Sequence, residues 1–434
     1  MLVHFASANN PGLVAVIKRD IIDKVRDQYF DSVFQELGEL NIPDVDAGDM
    51  KITQIKAALS NGSPENLITS FHNDINAVGV ELKETVMDVN VNWKYKKTIL
   101  SLSGTAHVKG TIQDLGLNVV MNKLVEDQYA IPQINVQDVN VGMDKSKFDL
   151  NLKCSGCPGE VEKWISGIMK GQLLDEIQSQ IRDQVPAQAN TKGNDILKEQ
   201  YPRSYPLYNN IAIATALTDS IDVQDDHLEI LLDGTFFPHD QGYKRPSDAS
   251  EMPHYNPNDP GHIMMFISSY LVDTLSSTIG VEKQTYDFTI LGISYQFSLD
   301  PAAGKTSLSF EDGDFIVQAV PTIVASDYGV GISIGGSVKL DPSISAGDET
   351  NMLSVTPSVK GLTLSSLQVI TPSQTYDLSS VAEYANVVAE AFLNWLVVPT
   401  IGVKKQEVLP LTVVDSELDF HKDYSEVGLK IEFA

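Results

Sequence analysis

The chain contains two cysteines, which stand three positions apart in the string Cys154-Ser155-Gly156-Cys157-Pro158. A strand is predicted before this string and a helix after it, and the positive end of a helix lowers the pKa of a nearby thiol. The spacing therefore allows redox C-x-x-C chemistry. The interpretation that we prefer is a small disulfide loop between Cys154 and Cys157, or two free thiols. Zinc would need two further ligands, and the sequence has no second cysteine pair and no close histidine pair.

A second string with catalytic potential is Gly331-Ile332-Ser333-Ile334-Gly335, which matches the G-x-S-x-G pattern of serine hydrolases. In those enzymes the serine occupies a sharp turn between a strand and a helix. Here apolar and polar or small residues continue to alternate from Val330 to Val338, which predicts one unbroken strand. We therefore expect no nucleophile at Ser333, and we predict a protein without catalytic residues.

Acidic residues cluster in three predicted loops, at Asp225-Asp226, at Glu311 to Asp314 and at Asp348-Glu349. None of them has the spacing of a twelve-residue calcium loop, so we expect solvated turns and predict no metal site. The net charge of the chain is -27, and residues 206–434 carry 31 Asp and Glu against 10 Lys and Arg. Because nucleic acids are bound through an excess of Lys and Arg, we expect no nucleic-acid partner.

The elements that would position a site are four predicted amphipathic helices and the strands between them. With 434 residues, of which 42% are hydrophobic, the chain can bury a large core. In each of the four segments, apolar residues recur mostly at steps of three or four, which places them along one stripe of a helix. The helices are predicted at Asn10 to Asp44, Pro158 to Val185, Gly261 to Gly280 and Leu378 to Lys404.

Strands are predicted from Met50 to Leu152, from Tyr286 to Leu367 and from Leu411 to Phe433, so the order helix, sheet, helix occurs twice. Two helix stripes laid on one curved sheet leave a slot between them, which suits an apolar guest. The residues that we predict to line the two slots are Leu13, Val14, Ile17, Ile21, Trp164, Ile165 and Ile168 in the first half, and Ile267, Leu271, Leu275, Val388, Phe392 and Leu396 in the second.

Six sets of passages follow one another along nearly the whole chain: Asn10 to Val14 with Ile42-Pro43-Asp44, Trp93-Lys94 with Leu102-Ser103-Gly104, Ser204 to Thr215, Leu231 to Phe236, His262 to Leu271, and Asn394 to Pro399 with Leu409-Pro410-Leu411. Taken together, these passages resemble the bactericidal/permeability-increasing and lipopolysaccharide-binding protein family, which includes the cholesteryl ester and phospholipid transfer proteins. No single passage is specific, and the resemblance rests on their order.

The resemblance implies an α+β fold with the shape of a boomerang: two barrels, each a highly twisted antiparallel sheet wrapped by two long helices, joined by a central sheet. We accordingly predict an N-terminal barrel over residues 9–205, a central sheet and linker region over 206–237 and a C-terminal barrel over 238–434. The implied ligand is phospholipid or another acyl-chain lipid in an apolar slot of each barrel, with no cofactor besides that lipid. Transfer of lipid, and transient membrane contact, are part of the same expectation.

Two departures from the family bear on the ligand. The positions that we align with the family's sheet-to-helix disulfide are near Pro132 and Asp183, and neither is a cysteine. Members that bind lipopolysaccharide have a basic tip on the first barrel, whereas Lys94, Lys96 and Lys97 are the one tight basic cluster here. Two alternatives stay open: an innate-defence protein that recognises bacterial lipopolysaccharide or membranes, and a structural subunit of a larger assembly with lipid as core filling.

The location of the protein is predicted from the resemblance and from the N-terminus. Ala6-Ser7-Ala8 is typical of the small residues that end a secretory signal peptide. We therefore expect a secreted protein or one in the lumen of the endomembrane system, and the sequence names no protein partner.

Overall fold

The computed structural model contains, among its described residues, two eight-stranded sheets, a six-stranded central sheet and two three-stranded sheets, all antiparallel. The described residues form mostly strands, together with three α-helices. This composition confirms the predicted α+β arrangement of two barrels. The structure describes residues 10–37, 39–60, 63–98, 100–154, 157, 159–207, 210–253, 255–259, 261–279, 283–290, 292–300, 306–346, 351–381, 401–404 and 411–433.

The elements of the first half begin at the N-terminus and end at the linker. They are β1 (Leu13–Lys18), α1 (Arg19–Leu37), β2 (Glu39–Ile42), β3 (Val45–Ala47), β4 (Met50–Ser60), β5 (Leu67–His72), β6 (Ala77–Lys97), β7 (Leu100–Glu126), β8 (Tyr129–Gly142), β9 (Phe148–Cys154), α2 (Gly159–Gln200) and β10 (Ser204–Pro206).

The elements of the second half are mostly strands. They are β11 (Ile211–Ala214), β12 (Asp222–Val223), β13 (His227–Leu232), β14 (Phe236–Pro238), β15 (Ile263–Ser268), α3 (Ser269–Ile279), β16 (Gln284–Ile290), β17 (Ile293–Leu299), β18 (Ser307–Glu311), β19 (Asp314–Ala319), β20 (Pro321–Ala325), β21 (Val330–Leu340), β22 (Ser343–Ala346), β23 (Asn351–Thr356), β24 (Val359–Ile370), β25 (Thr375–Asp377), β26 (Ile401–Lys404), β27 (Leu411–Phe420) and β28 (Tyr424–Phe433).

The sheet of the first half has the order β2-β4-β6-β7-β8, with β3 on β4, β5 on β6 and β9 on β7. Along β6, every second residue from Met87 to Tyr95 is buried, as the two-residue period of a strand requires. This buried face packs against one stripe of α2, and sheet and helix together form the core of the first half. The stripe of α2 comprises Ile165, Met169, Leu173, Leu174, Ile177 and Ile181.

The central sheet takes strands from both halves in the order β12-β13-β1-β15-β28-β27. β1 and β15 pair antiparallel with Ala15 opposite Met265. At one end the Lys18 N–H donates to the His262 carbonyl at 3.1 Å, and at the other the Ser268 N–H donates to the Gly12 carbonyl at 2.9 Å. The two halves of the sheet are therefore related by a pseudo-twofold axis at the Ala15–Met265 pair. On either side of the β1–β15 pair, the central sheet continues with one further strand pair, β13 with β12 and β28 with β27.

The prediction of one helix from Asn10 to Asp44, and of another from Gly261 to Gly280, was wrong at the start of each segment, and the first was also wrong at its end, where Glu39–Ile42 form β2. β1 and β15 come first, and α1 and α3 begin only after these strands. Val14 packs with Phe266 on one face of the central sheet, and Ile17 packs with Val427 on the other. Because both faces of β1 are covered, its sequence is an unbroken apolar run rather than an alternating one. Such a run does not distinguish a strand from a helix.

The prediction that the second helix stops before Pro186 was also wrong, because α2 continues through this proline to Gln200. Proline inside a helix costs about 3 kcal/mol. Beyond it, the Asn194 amide accepts from the Ile134 N–H at 2.8 Å and donates to the Ile134 carbonyl at 2.9 Å. The Asn190 Oδ1 accepts from the Val136 N–H at 2.6 Å. These bonds to the edge of β8 hold the second part of α2 in place and offset the local cost.

The helix predicted from Leu378 to Lys404 is wrong at both ends. Leu378 precedes a short 3₁₀ turn at Ser379–Val381, and Ile401–Lys404 form β26, which pairs with β23. Residues 382–400, and with them Val388, Phe392 and Leu396, lie outside the described residues.

Candidate functional site

The inner face of the second-half sheet is apolar over several strands. Along β21 it carries Val330, Ile332, Ile334, Val338 and Leu340, which are alternate residues of one strand. The face continues onto neighbouring strands at the same level. Ile332 lies opposite Ile323 of β20 and Val369 of β24, and Ile334 lies opposite Leu367. The sequence signal for this face was the alternation from Val330 to Val338, and the strand predicted there is confirmed.

α3 covers one end of this inner face. Its Val272 is buried against Leu308 and Phe310 of β18, and Leu275 packs on the same cluster. The ring centroid of Phe315 lies 5.8 Å from that of Phe310, and the Phe420 ring lies against both. This end of the second half is therefore filled by side chains.

The inner face extends beyond α3, and there several of its residues are exposed and no described element is seen to cover them. Val330 is 44% exposed, Ile332 is 43% exposed, and Tyr376, which lies opposite Val369 on β25, is 48% exposed. We call these three residues, with Ile323 and Val369, the open face. Apolar surface of this kind on a sheet normally packs against another layer. The open face therefore offers a place where an apolar ligand could lie against the sheet.

Of the residues predicted to line the second slot, Ile267, Leu271 and Leu275 are among the described residues. Ile267 of β15 and Leu275 of α3 pack on the Phe310 cluster, and Leu271 is half-buried on α3. Ile267 and Leu275 lie at the covered end of the inner face, whereas Leu271 lies beside Gly234, and lipid contact for all three stays a prediction. The open face was missed because its residues are spread over four strands, and the sequence does not show which strands are neighbours.

The residues predicted to line the first slot are divided among three hydrophobic clusters. Leu13, Val14 and Ile17 lie on β1 in the central sheet, and Ile21 of α1 packs with Val413, Val427, Leu429 and Ile431 of the second half. Trp164, Ile165 and Ile168 lie on α2 against the first-half sheet. The structure therefore does not bring the β1 and α1 residues together with those of α2. Residues 13–18 form a strand of the central sheet and are not part of a helix that could lie beside α2. Lipid contact for all seven remains a prediction.

The first-half core is filled by side chains where the structure describes it. Ile165 and Met169 of α2 are fully buried against Met87 and Trp93 of β6. Trp164 differs, because it is 47% exposed and packs edge-on against Tyr95, with ring centroids 5.3 Å apart.

The two strings with catalytic potential have structural roles in the folded chain. Cys154 and Cys157 form a disulfide that joins the end of β9 to the segment before α2. Ser333 is buried on β21, with strand on both sides of it, and its hydroxyl accepts from Thr322 Oγ1 at 3.2 Å. The strand, turn and helix of a hydrolase elbow are therefore absent around Ser333. Within the described ranges, no group of three or more His, Cys, Asp or Glu side chains could hold a metal ion.

A buried polar cluster lies between the end of β13 and α3, and sequence reasoning missed it. Asp233 accepts from Arg245 at 2.5 Å, from the Tyr243 hydroxyl at 2.8 Å and from the Thr235 N–H at 2.9 Å. The Arg245 guanidinium also lies 5.2 Å from the centroid of the Tyr270 ring. Burial, and then the charge of Asp233, raise the pKa of Tyr243. Both Asp233 oxygens accept hydrogen bonds from protein groups, which indicates a structural role for this carboxylate.

None of the described helices is long and apolar enough to cross a membrane. No protein-family model matches the chain, and no curated protein matches it. Among solved structures, lipopolysaccharide-binding protein matches with a TM-score of 0.52 and 11% identity, over 98% of this chain and 99% of that one. The two chains share a fold.

Two further structures match more weakly. P47 of Clostridium botulinum E1 has a TM-score of 0.31 and 8% identity, over 98% of this chain and 100% of that one. Takeout 1 of Epiphyas postvittana has a TM-score of 0.24 and 12% identity, over 37% of this chain and 77% of that one.

Proposed function

We propose that the protein binds an acyl-chain lipid, such as a phospholipid, against the open face and carries it without changing it chemically. The observation that carries this proposal is the apolar inner face, of which Val330 and Ile332 remain 44% and 43% exposed. The shared fold supports it, because the name of lipopolysaccharide-binding protein states a lipid ligand.

The chemistry of the open face sets the selectivity that we expect. Burial of an acyl chain contributes about 0.8 kcal/mol for each methylene and has no directional requirement. The five residues of the open face offer one polar side-chain atom, the Tyr376 hydroxyl, to orient a headgroup. We therefore expect selection by chain length and weak selection among headgroups. Transfer of the lipid between membranes is a further part of the proposal.

The test is mass spectrometry of an organic extract of the natively purified protein, with lipid counted per chain. A fluorescent phosphatidylcholine then measures uptake by the Ile332→Asp variant. We expect this variant to lose at least about tenfold in affinity, because a carboxylate would be buried against acyl chain without a partner.

The matched control is Thr363→Asp, which places the same carboxylate at an exposed position of β24. We expect this control to bind lipid like the wild type. The proposal fails if the wild-type extract holds no lipid and the pure protein takes up none. A structural role in a larger assembly would then be the better interpretation.

We also propose that the protein is secreted or resides in the endomembrane lumen. The Cys154–Cys157 disulfide supports this, because disulfides persist in oxidising compartments. Thiol labelling of the protein taken directly from its native source tests it, since two free thiols would contradict the proposal.

A further inference from the structure

One edge of the first-half sheet is open. Among the described residues β9 pairs only with β7, from Phe148 opposite Gly110 to Cys154 opposite Gly104. Beside its other edge lies a groove of about 670 Å³, lined by residues 149–152 of β9 and by Gly159, Glu162, Lys163 and Ser166 of α2. An edge strand of this length presents a row of unpaired N–H and C=O groups to another strand.

In the part of the chain that the structure describes, the edge of β8 in the same sheet, unlike that of β9, is hydrogen-bonded to side chains of α2. There the side chains of Asn190 and Asn194 bond to the backbone of Val136 and Ile134 and occupy the edge. The same helix, α2, therefore closes the β8 edge with its second part and leaves a groove at the β9 edge with its first.

The side chains of β9 form a self-complementary pattern. Asp149, Asn151 and Lys153 are exposed and alternate with Leu150, which is half-buried, and Leu152, which is buried. Reversing this strand about Asn151 exchanges the acidic and the basic position. Two antiparallel copies centred on Asn151 would therefore place each Asp149 opposite a Lys153, Asn151 opposite Asn151, and each Leu150 opposite a Leu152.

These two charges are available for a partner. Neither Asp149 nor Lys153 takes part in the ion pairs of the described residues, although Lys109 of β7 lies opposite Asp149 in the sheet. The groove side of α2 carries Glu162 and Lys163, which are a second pair of opposite charges.

We propose that β9 is a dimer interface, at which it pairs antiparallel with β9 of a second copy of the chain around a twofold axis at Asn151. Such an interface is isologous and closes after two copies. It would join the two first-half sheets into one continuous sheet. The Cys154–Cys157 disulfide ties the end of β9 to the segment before α2, and it therefore fixes one end of the groove.

The local charges of β9 permit a second copy as the partner, although the net charge of the chain opposes association elsewhere. Two copies that each carry a net charge of -27 repel one another over most of their surfaces. On the exposed face of β9, by contrast, Asp149 and Lys153 cancel, so that two copies can approach there without net repulsion and with two attractive pairs.

The test is sedimentation of the full-length protein over a range of concentrations. We expect a wild-type dimer of twice 47.5 kDa. Asp149→Lys and Lys153→Asp should each raise the dissociation constant at least about tenfold, because each replaces two attractive pairs by two repulsive ones. The double variant Asp149→Lys/Lys153→Asp exchanges the charges and should restore the dimer.

The matched control is Lys192→Asp, at an exposed position on the second part of α2, away from β9, which should leave the dimer unchanged. Amide hydrogen exchange supplies a second readout, because the amides of β9 should exchange more slowly as the protein concentration rises. A wild type that is monomeric throughout overturns the proposal. A double variant that stays dissociated, or a dimer whose β9 exchange is independent of concentration, also overturns it.

Discussion

His227 is a buried titratable residue at the start of β13, with 9% of its side chain exposed. Its Nδ1 lies 2.6 Å from Asp226 Oδ1, and its Nε2 lies 3.2 Å from Glu229 Oε1. Burial alone lowers the pKa of the imidazole, but the hydrogen bonds to Glu229 and Asp226 and the charges of both carboxylates outweigh it, so the pKa is raised. Lys18, opposite His227 on β1, is the cationic neighbour in this part of the sheet.

We predict that His227 makes the stability of the protein depend on pH. Its pKa is higher in the folded chain than the value of about 6.5 expected when unfolded, so the protonated form is favoured by folding. This contribution is complete below the unfolded pKa and is lost as the pH rises through the folded pKa. Urea unfolding at mildly acidic to mildly basic pH measures it, as the difference between wild type and His227→Gln.

The control for this prediction is His107→Gln, at a partly exposed histidine of β7 whose Nε2 lies 2.8 Å from Asp88. It removes one imidazole from the surface and leaves the contacts of His227 intact. The free energy of unfolding should therefore still fall as the pH rises. If the wild type and His227→Gln lose stability in parallel as the pH rises, His227 has no such role.

At the scale of elements, the strands that could be predicted from the sequence are those with one buried and one exposed face. β6 and β21 alternate, and both were predicted because a two-residue period is visible without knowledge of the neighbouring strands. β1 was assigned to a helix, because Val14 and Ile17 are each covered on their own face and no alternation results. The open face combines Ile332 with Val369, which are 37 positions apart, and only the pairing of β21 with β24 brings them together.

The second part of α2 is another feature that local sequence does not explain, because a proline such as Pro186 normally ends a helix. Its place depends on Asn190 and Asn194, whose side chains replace a neighbouring strand at the edge of β8. We predict that Asn194→Ala lowers the free energy of unfolding by about 1–3 kcal/mol, because the N–H and C=O of Ile134 lose their partners. Urea unfolding measures this change.

Lys192→Ala is the control for this prediction, since Lys192 is exposed on the same part of α2. It should change the free energy of unfolding by no more than about 0.5 kcal/mol. Equal effects of the two variants would mean that the asparagine bonds to β8 contribute nothing beyond helix propensity.

At the scale of the whole molecule, the central sheet makes each half depend on the other. β1 comes from the N-terminus, yet it lies between β13 and β15. Ile17 and Ile21 of the first half share a core with Val413, Val427 and Ile431 of the second. The division into residues 9–205, 206–237 and 238–434 stays a prediction, and the pairing in the central sheet argues that these parts do not fold separately.

We therefore predict that residues 239–434, produced alone, do not unfold as a cooperative unit. Without β1 and β13, β15 becomes an edge strand, and the core around Val427 loses Ile17 and Ile21. Burial of the Ile21 side chain contributes about 1.5–3 kcal/mol and that of the half-buried Ile17 contributes less, and together they are a large part of the stability of a domain. Circular dichroism during urea unfolding measures cooperativity.

Co-production with residues 1–238 restores the missing strands and should restore a single cooperative transition, because the two fragments then rebuild the six-stranded central sheet. A sharp transition for residues 239–434 alone would show that the second-half sheet and α3 are sufficient. In that case β1 would stabilise the contact between the halves and would not be part of either fold.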